Sequence, residues 1–413
     1  MKVLVLNSGS SSVKYQLIET SLELIGADDD RIVARGSVDR IGTASAVHTY
    51  RPAGRDKVSE VKEILEHRVA IAEIINTLTH PDTGVIGQAS EIEAVGHRMV
   101  HGGEKFTQSA LCSPEVVQQI EDCCELAPLH NPHNLRGFYA AKAILPDVPH
   151  AAVFDTSYHQ TMPPHAYLYG LPYVLYTRHH IRRYGFHGTS HRFVGWRSRK
   201  LLGRPREETR LVTCHLGNGA SMCAIDHGRS VDTSMGFTPL EGLLMGTRCG
   251  DLDPAVLFYV MHTEDLTEFQ ATTMLNKHSG LYGVSGVSND MAELLAAEAT
   301  GNERARLAID LFSYRVKKYI GAYAAAMGGV DAVIFTGGIG ENAASVRVRC
   351  MAGLEFLGAG IDADRNLAAV GGKEADISTA DARVRTLVIP TNEELIIARD
   401  TLRLVVGKMQ PTA

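Results

Sequence analysis

At 413 residues the chain exceeds what one ordinary hydrophobic core holds, so two domains are expected, with three as the upper choice. It is 45% hydrophobic and 21% charged, a folded globular composition, and its net charge of −6 without blocks of like charge excludes a general nucleic-acid binder. Seven scattered cysteines without a C-x-x-C pair argue against a disulfide framework, and no apolar run approaches the roughly 18 residues of a membrane span. A cytoplasmic protein with no membrane or nucleic-acid partner is the expectation.

Val3–Leu6 reads as a buried strand, because four apolar residues run on without alternation. The turn NSGSSS (7–12) follows, and residues 13–18 then alternate as a second strand. The same design recurs about 200 residues later, where strand 211–214, turn HLGNGA (215–220) and strand 221–226 succeed one another. Two such units suggest a duplicated architecture with one copy per domain.

Between them, the polar stretch 41–62 reads as solvent-facing strands or loops, and the proline- and tyrosine-rich 163–172 as a connection along the surface. A domain boundary is placed near residue 155. Ile309, Phe312, Val316, Ile320, Tyr323 and Met327 recur at helical steps and mark a long amphipathic helix stopped by Gly328 and Gly329. TGGIGEN (336–342) follows a strand at 332–335 and opens a helix. A last helix is expected after Thr391 and Glu394, which have capping-box spacing.

Three small-residue turns after buried strands suit phosphates, because backbone N–H groups can approach the oxygens. Each alone reads first as a tight turn without a ligand; together on duplicated units they point to a nucleotide. Arg98 in HRMVHGG and Arg248 in MGTRCGD lie beside glycines, where a planar guanidinium fork can meet phosphate or carboxylate. His187 and His191 in HGTSH have the spacing of a zinc-hydrolase helix, but Gly188 stands where the catalytic glutamate would be. His187 reads better as a donor to phosphate. Asp155 ends the strand 151–154, a common position for active-site groups, whereas Glu393 by itself reads as a helix-dipole residue.

Nine ordered segments together resemble the acetokinase family, within the actin- and hexokinase-like ATPases: NSGSSSVKYQ, HRMVHGG, APLHNPHN, FDTSYHQTMP, YGFHGTSH, HLGNGAS, MGTRCGDLDP, FTGGIGEN and PTNEELIIARD. The resemblance runs almost end to end. It implies an α/β fold of two duplicated, ribonuclease H-like domains, with mixed sheets flanked by helices and the nucleotide in the interdomain cleft. The first domain would be residues 1–155 plus 393–413, and the second 156–392. The implied activity is reversible transfer of the ATP γ-phosphoryl group to acetate, by direct in-line displacement with Mg²⁺ or Mn²⁺, in a homodimer. Propionate or butyrate kinase activity on the same fold is the near alternative, and a non-metabolic ATPase of the actin or chaperone type the distant one.

Residue by residue, the resemblance implies that Asn7 and Glu393 hold the metal. Arg98, Val100, Leu129, Phe186 and Pro239 would bind the acid, and Asp155, His187 and Arg248 would be catalytic. Lys14, His215, Leu216, Gly217, Asn218, Gly219, Asp290, Met291, Ala292, Gly338, Ile339, Gly340, Glu341 and Asn342 would bind ATP. Family members often carry arginine where this chain has Ala292, so contacts to the base are expected to differ here.

Overall fold

The computed structural model describes residues 1–128 and 130–409. The chain divides into two compact units, Met1–Tyr158 with the C-terminal stretch from Asn392, and His159–Thr391.

Among the described residues, the first unit carries strands β1 (Lys2–Ser8), β2 (Ser12–Glu19), β3 (Arg31–Asp39), β4 (Thr43–Pro52), β5 (Val58–Ile64), β6 (Ala94–Met99), β7 (Ala110–Leu111) and β8 (His150–Phe154). They form one sheet in the order β5-β4-β3-β2-β1-β6-β8-β7. β1 runs antiparallel to β2 and parallel to β6, which in turn pairs parallel with β8. The polar stretch after residue 41 thus becomes the paired strands β4 and β5 at the sheet's margin. Val3 and Val5 face the C-terminal helix Glu393–Val405 through Ile397 and Ala398, while Leu4 and Leu6 face the other layer with Ile71, Ile74 and Ala141. Burial on both faces explains why β1 is an unbroken apolar run.

The second unit has β9 (Arg210–Leu216), β10 (Ala220–Asp226), β11 (Arg229–Thr233), β12 (Ala332–Thr336), β13 (Ala375–Asp376) and β14 (Arg385–Val388). Their order is β11-β10-β9-β12-β14-β13. β9 is antiparallel to β10 and parallel to β12, and β12 is parallel to β14. The arrangement β11-β10-β9-β12-β14 therefore repeats β3-β2-β1-β6-β8 of the first unit. The duplication expected from the two hairpins extends to the parallel strands that follow each.

The helix Glu303–Ala326 buries Ile309, Phe312, Val316, Ile320 and Tyr323, with Asn302 capping its start through Ala305 N–H. It ends before Gly328 and Gly329, both at positive φ. The last helix differs from expectation. Its cap is Asn392, whose Oδ1 accepts from Leu395 N–H at 3.1 Å, and Thr391 makes no capping box. Thr391 is engaged elsewhere: its hydroxyl lies 2.8 Å from Ser190 Oγ and its N–H donates to Glu341.

Candidate active site

In the first unit the chemistry-bearing side chains stand where β1, β6 and β8 end. Asn7 on β1 lies directly opposite Lys14 on β2. Arg98 on β6 donates from Nε to Asp155 Oδ1 at 3.0 Å and from Nη2 to Oδ2 at 2.6 Å, a two-point pair. Its Nη1 reaches Asn7 Oδ1 at 3.4 Å, and Glu393 Oε2 lies 3.8 Å from Nε. Burial alone would lower the pKa of this guanidinium, but the charges of Asp155 and Glu393 outweigh it and raise it. Glu394 has its pKa raised, by burial first and by the neighbouring Glu393 charge second. Asn7, Arg98, Asp155 and Glu393 thus form one cluster.

Val100 follows immediately after β6 and is nearly buried. Its N–H donates to Asn134 Oδ1 at 3.0 Å, and Asn134 Nδ2 donates to Ser8 O at 2.7 Å. One turn earlier, Asn131 accepts from His101 N–H and donates to His101 O. Two buried asparagines in the first turn of the helix Asn131–Ile144 thereby pin the segment after Arg98 to the end of β1. Sequence reasoning assigned them nothing. Their three-residue spacing, which puts both on one helix face, was the available signal. Leu129 lies outside the described residues.

In the second unit, three segments, two of them glycine-containing, converge on one cavity of about 360 Å³. Gly217 and Asn218 come from the β9–β10 turn, Asp290, Met291 and Ala292 from the start of the helix Met291–Ala299, and Gly338, Ile339 and Asn342 from the turn after β12. Asn289, Leu295 and Ala343 complete the lining. Asn289 Nδ2 donates to Asn218 Oδ1 at 2.9 Å, joining the first two segments. The remaining residues expected at ATP are not in that lining. Lys14 belongs to the other unit, and His215, Leu216, Gly219 and Gly340 support the two turns. Glu341 is a staple: its Oε1 accepts from Gly337 N–H at 2.9 Å and Thr391 N–H at 3.2 Å. Asp290 caps its helix through Ala292 and Glu293 N–H.

His187 begins the helix Gly188–Leu202 and stacks on His215 at 4.3 Å between ring centroids. A Cβ at Gly219 would lie 3.7 Å from both His187 Nε2 and Arg248 Nη1, so the bare glycine separates the two cationic candidates. Arg248 donates from Nη1 to Pro239 O at 3.0 Å and has no carboxylate partner among the described residues. Burial lowers its pKa. A partly buried guanidinium without a counter-charge is costly, and an anionic ligand offsets that cost. Arg248 rides on a loop clasped by Asp251, whose Oδ1 accepts from Gly242 N–H at 3.0 Å and whose Oδ2 accepts from Tyr319 OH at 2.9 Å. Phe186 is buried and gives its carbonyl to His159 Nε2 at 3.0 Å.

No helix among the described residues is long and apolar enough to cross a membrane. Among the same residues, no group of three or more His, Cys, Asp or Glu side chains is placed to hold a metal ion.

The model of the acetokinase family matches residues 2–399. The chain is 54% identical over 405 residues to the acetate kinase of Desulfitobacterium hafniense, covering 98% of this chain and 99% of that one. It is 53% identical over 401 residues to the acetate kinase of Methanosarcina acetivorans, covering 97% and 96%. The crystal structure of Porphyromonas gingivalis acetate kinase superposes with a TM-score of 0.92 at 47% identity over 98% of this chain and 99% of that one. That of a propionate kinase from Francisella tularensis gives 0.89 at 38% identity over 98% and 99%. With the family model matching residues 2–399 and relatives more than 50% identical over nearly the full length, this chain belongs to the acetokinase family.

Proposed function

We propose that this protein transfers the γ-phosphoryl group of ATP to acetate, reversibly, giving acetyl phosphate and ADP. The observation that carries this reading is likeness at 54% identity, over 98% of the chain, to proteins that are acetate kinases. The geometry suits it. A carboxylate is ionised at neutral pH and needs no base to attack phosphorus, so the protein's task is to align two anions and neutralise shifting charge.

Arg98 binds the acid's carboxylate. Asp155 holds both Nε and Nη2 of that guanidinium, which fixes its plane and makes Asp155 an orienting group. On the family resemblance, Val100, Leu129, Phe186 and Pro239 are assigned to recognition of the acid's alkyl group. The nucleotide lies along the cavity of Gly217, Asn218, Asp290–Ala292, Gly338, Ile339 and Asn342. His187 and Arg248 stabilise the phosphoryl group in transit, and Lys14 meets the phosphates.

Asn7 Oδ1 and the Glu393 carboxylate both approach Arg98, and such a small, all-oxygen donor set fits a hard divalent cation that keeps waters and phosphate oxygens as its other ligands. These residues would hold Mg²⁺ or Mn²⁺, which supplies charge neutralisation at the β- and γ-phosphate oxygens. The protein is read further as a cytoplasmic homodimer. All seven cysteines are free thiols, and Phe258, Tyr259 and Phe269 give the helices Pro254–Thr263 and Glu268–Lys277 an exposed apolar face.

The test is to trap acyl phosphate with hydroxylamine from ATP plus acetate, propionate or butyrate. Acetyl hydroxamate forming fastest is the expected result. ATP hydrolysis indifferent to all three acids would overturn the reading.

A further inference from the structure

His187 has a backbone φ of 55°, in the left-handed region that costs energy for a residue with a side chain. Its ring is held there by a chain of side chains drawn from three elements. His187 Nδ1 lies 2.8 Å from Ser221 Oγ on β10, and the same Oγ lies 2.8 Å from His191 Nε2, one helical turn beyond His187. His191 Nδ1 is 2.7 Å from Thr213 Oγ1 on β9, and the Thr213 hydroxyl donates to Cys223 O at 3.4 Å. Ser221, His191 and Thr213 are all fully buried, so none of them exchanges these partners for water.

The direction of every bond follows from the far end. A carbonyl only accepts, so the Thr213 proton points at Cys223 O and its oxygen accepts from His191 Nδ1–H. Burial holds the His191 pKa well below its usual value, and the neighbouring His159 and His215 add to that, so the ring is neutral. Neutral His191 with a proton on Nδ1 has a lone pair on Nε2, which accepts the Ser221 proton. The Ser221 oxygen is then left to accept, and the proton it accepts is that of His187 Nδ1–H.

We propose that Ser221, backed by His191 and Thr213, is a positioning residue that locks His187 in its Nδ1–H form and leaves Nε2 as the ring nitrogen addressing the phosphoryl group. This rests on His187 having a part in the transfer. The i, i+4 histidines that resemble a metal-binding pair are instead the two ends of a serine bridge. On the neutral ring Nε2 is a lone pair, and on the imidazolium it is a donor; the donor form suits an anionic oxygen. The titratable and charged groups around the ring include, among the described residues, His191 beyond Ser221, His215 stacked against it, and Arg248 across Gly219.

Two-bond ¹H–¹⁵N spectra of the histidine-labelled protein, with His187→Asn identifying the signal, read the tautomer directly. The expected result is a protonated Nδ1 on neutral His187 in the wild-type enzyme; a protonated Nε2 overturns the proposal. Ser221→Ala should lose that signature and lower kcat by roughly 10- to 100-fold, the usual cost of removing such a supporting partner. KM for both substrates should stay within about twofold, and Ser221→Thr, which keeps the hydroxyl, should restore kcat. A Ser221→Ala enzyme with wild-type kcat also overturns the proposal, and if that variant does not fold the wild-type spectrum still decides. Acyl hydroxamate formation by the wild-type protein tests the underlying reading separately.

Discussion

Asp155 grips Arg98 at two points, Oδ1 to Nε at 3.0 Å and Oδ2 to Nη2 at 2.6 Å, leaving Nη1 directed at Asn7. Asp155 is almost wholly buried, so the pair behaves as one unit whose guanidinium plane is fixed before substrate arrives. Residues that act as a unit are strongly non-additive. Arg98→Ala should lower kcat/KM for acetate by about 10³-fold, and Asp155→Asn by about 10²-fold. The double variant should be no worse than Arg98→Ala alone. Losses that multiply would show that Asp155 acts on the substrate independently of Arg98.

Arg248 is expected to matter as much as Arg98 but for charge, having no carboxylate partner among the described residues. Arg248→Ala should cost about 10³-fold in kcat with the fold intact, as removal of a transition-state arginine does. Tyr319→Phe removes one bond to Asp251 in the clasp of the same loop, and a buried bond to a charged group is worth about 1.5–3 kcal/mol. Thermal denaturation should therefore shift down while kcat falls by roughly tenfold or less. Steady-state rates within tenfold of wild type for Arg248→Ala would remove it from the transfer step.

The hairpins β1–β2 and β9–β10 were legible because short, mostly apolar runs meet small-residue turns, a pattern that survives without tertiary information. So was the helix around Ile309–Tyr323, whose face is set by spacing alone. Thr391 was misread because Thr391 and Asn392 can both cap, and spacing to Glu394 favours threonine. Contacts with Ser190 and Glu341, 201 and 50 residues away, decided otherwise. Ser221 between His187 and His191 was invisible for the same reason, since a residue 30 or more positions distant bridges two that are near. Residue type announces a candidate group, but what orients it is a neighbour that only folding supplies.

Substrate size should be governed in part by Val100, two residues beyond Arg98. Its N–H donates to Asn134 Oδ1, which fixes the backbone that carries the side chain. Replacing valine by alanine frees roughly two methyl groups, each buried methylene being worth about 0.8 kcal/mol. One-carbon discrimination falls within about 1–3 kcal/mol, so the wild type should favour acetate over propionate by roughly tenfold or a little more. Val100→Ala should shrink or reverse that ratio, chiefly through KM for propionate. An unchanged ratio of kcat/KM with lowered stability would make Val100 a core residue only.

Nucleotide choice should be permissive. The polar side chains lining the cavity are largely committed to the protein: Asn218 Oδ1 accepts from Asn289, Asn342 bonds Gly338 and Gly371, and Asp290 caps a helix. Ala292 adds no donor or acceptor, while Met291, Leu295 and Ile339 offer apolar surface to any base. A site that hydrogen-bonds a substrate group rejects analogues lacking it by about 10⁴-fold or more, and few side-chain groups here are left to do so. Comparing kcat/KM for ATP, GTP and ITP should give differences well under a thousandfold. A preference for ATP at or above that size would show that backbone groups read the base.

Acid should unfold the protein sooner than its net charge suggests, because its buried histidines are held neutral. Burial lowers the pKa of His150 and His159 to about 4 and of His101 to about 3, and it pushes His97 and His191 well below the usual value. His97 Nε2 and His150 Nδ1 are 2.8 Å apart, and His150 Nε2 is 3.2 Å from Leu145 O, so His150 donates to that carbonyl and accepts from His97. A proton added to His150 Nδ1 breaks that order, because two N–H groups would then face each other. In the unfolded chain each histidine titrates near 6.5. Between about pH 6.5 and 4 the unfolded state therefore binds more protons than the folded one, and stability rises with pH across that window. Sign and limits follow: the contribution is complete above about pH 6.5 and is lost as the pH falls towards 4. Urea midpoints should fall steeply from pH 7 to pH 5. The paired replacement His97→Leu/His150→Leu, which removes both partners together, should flatten the slope, since losing both sides of a buried bond is nearly neutral. A midpoint level between pH 7 and pH 5 would mean that these rings accept protons without unfolding the sheet.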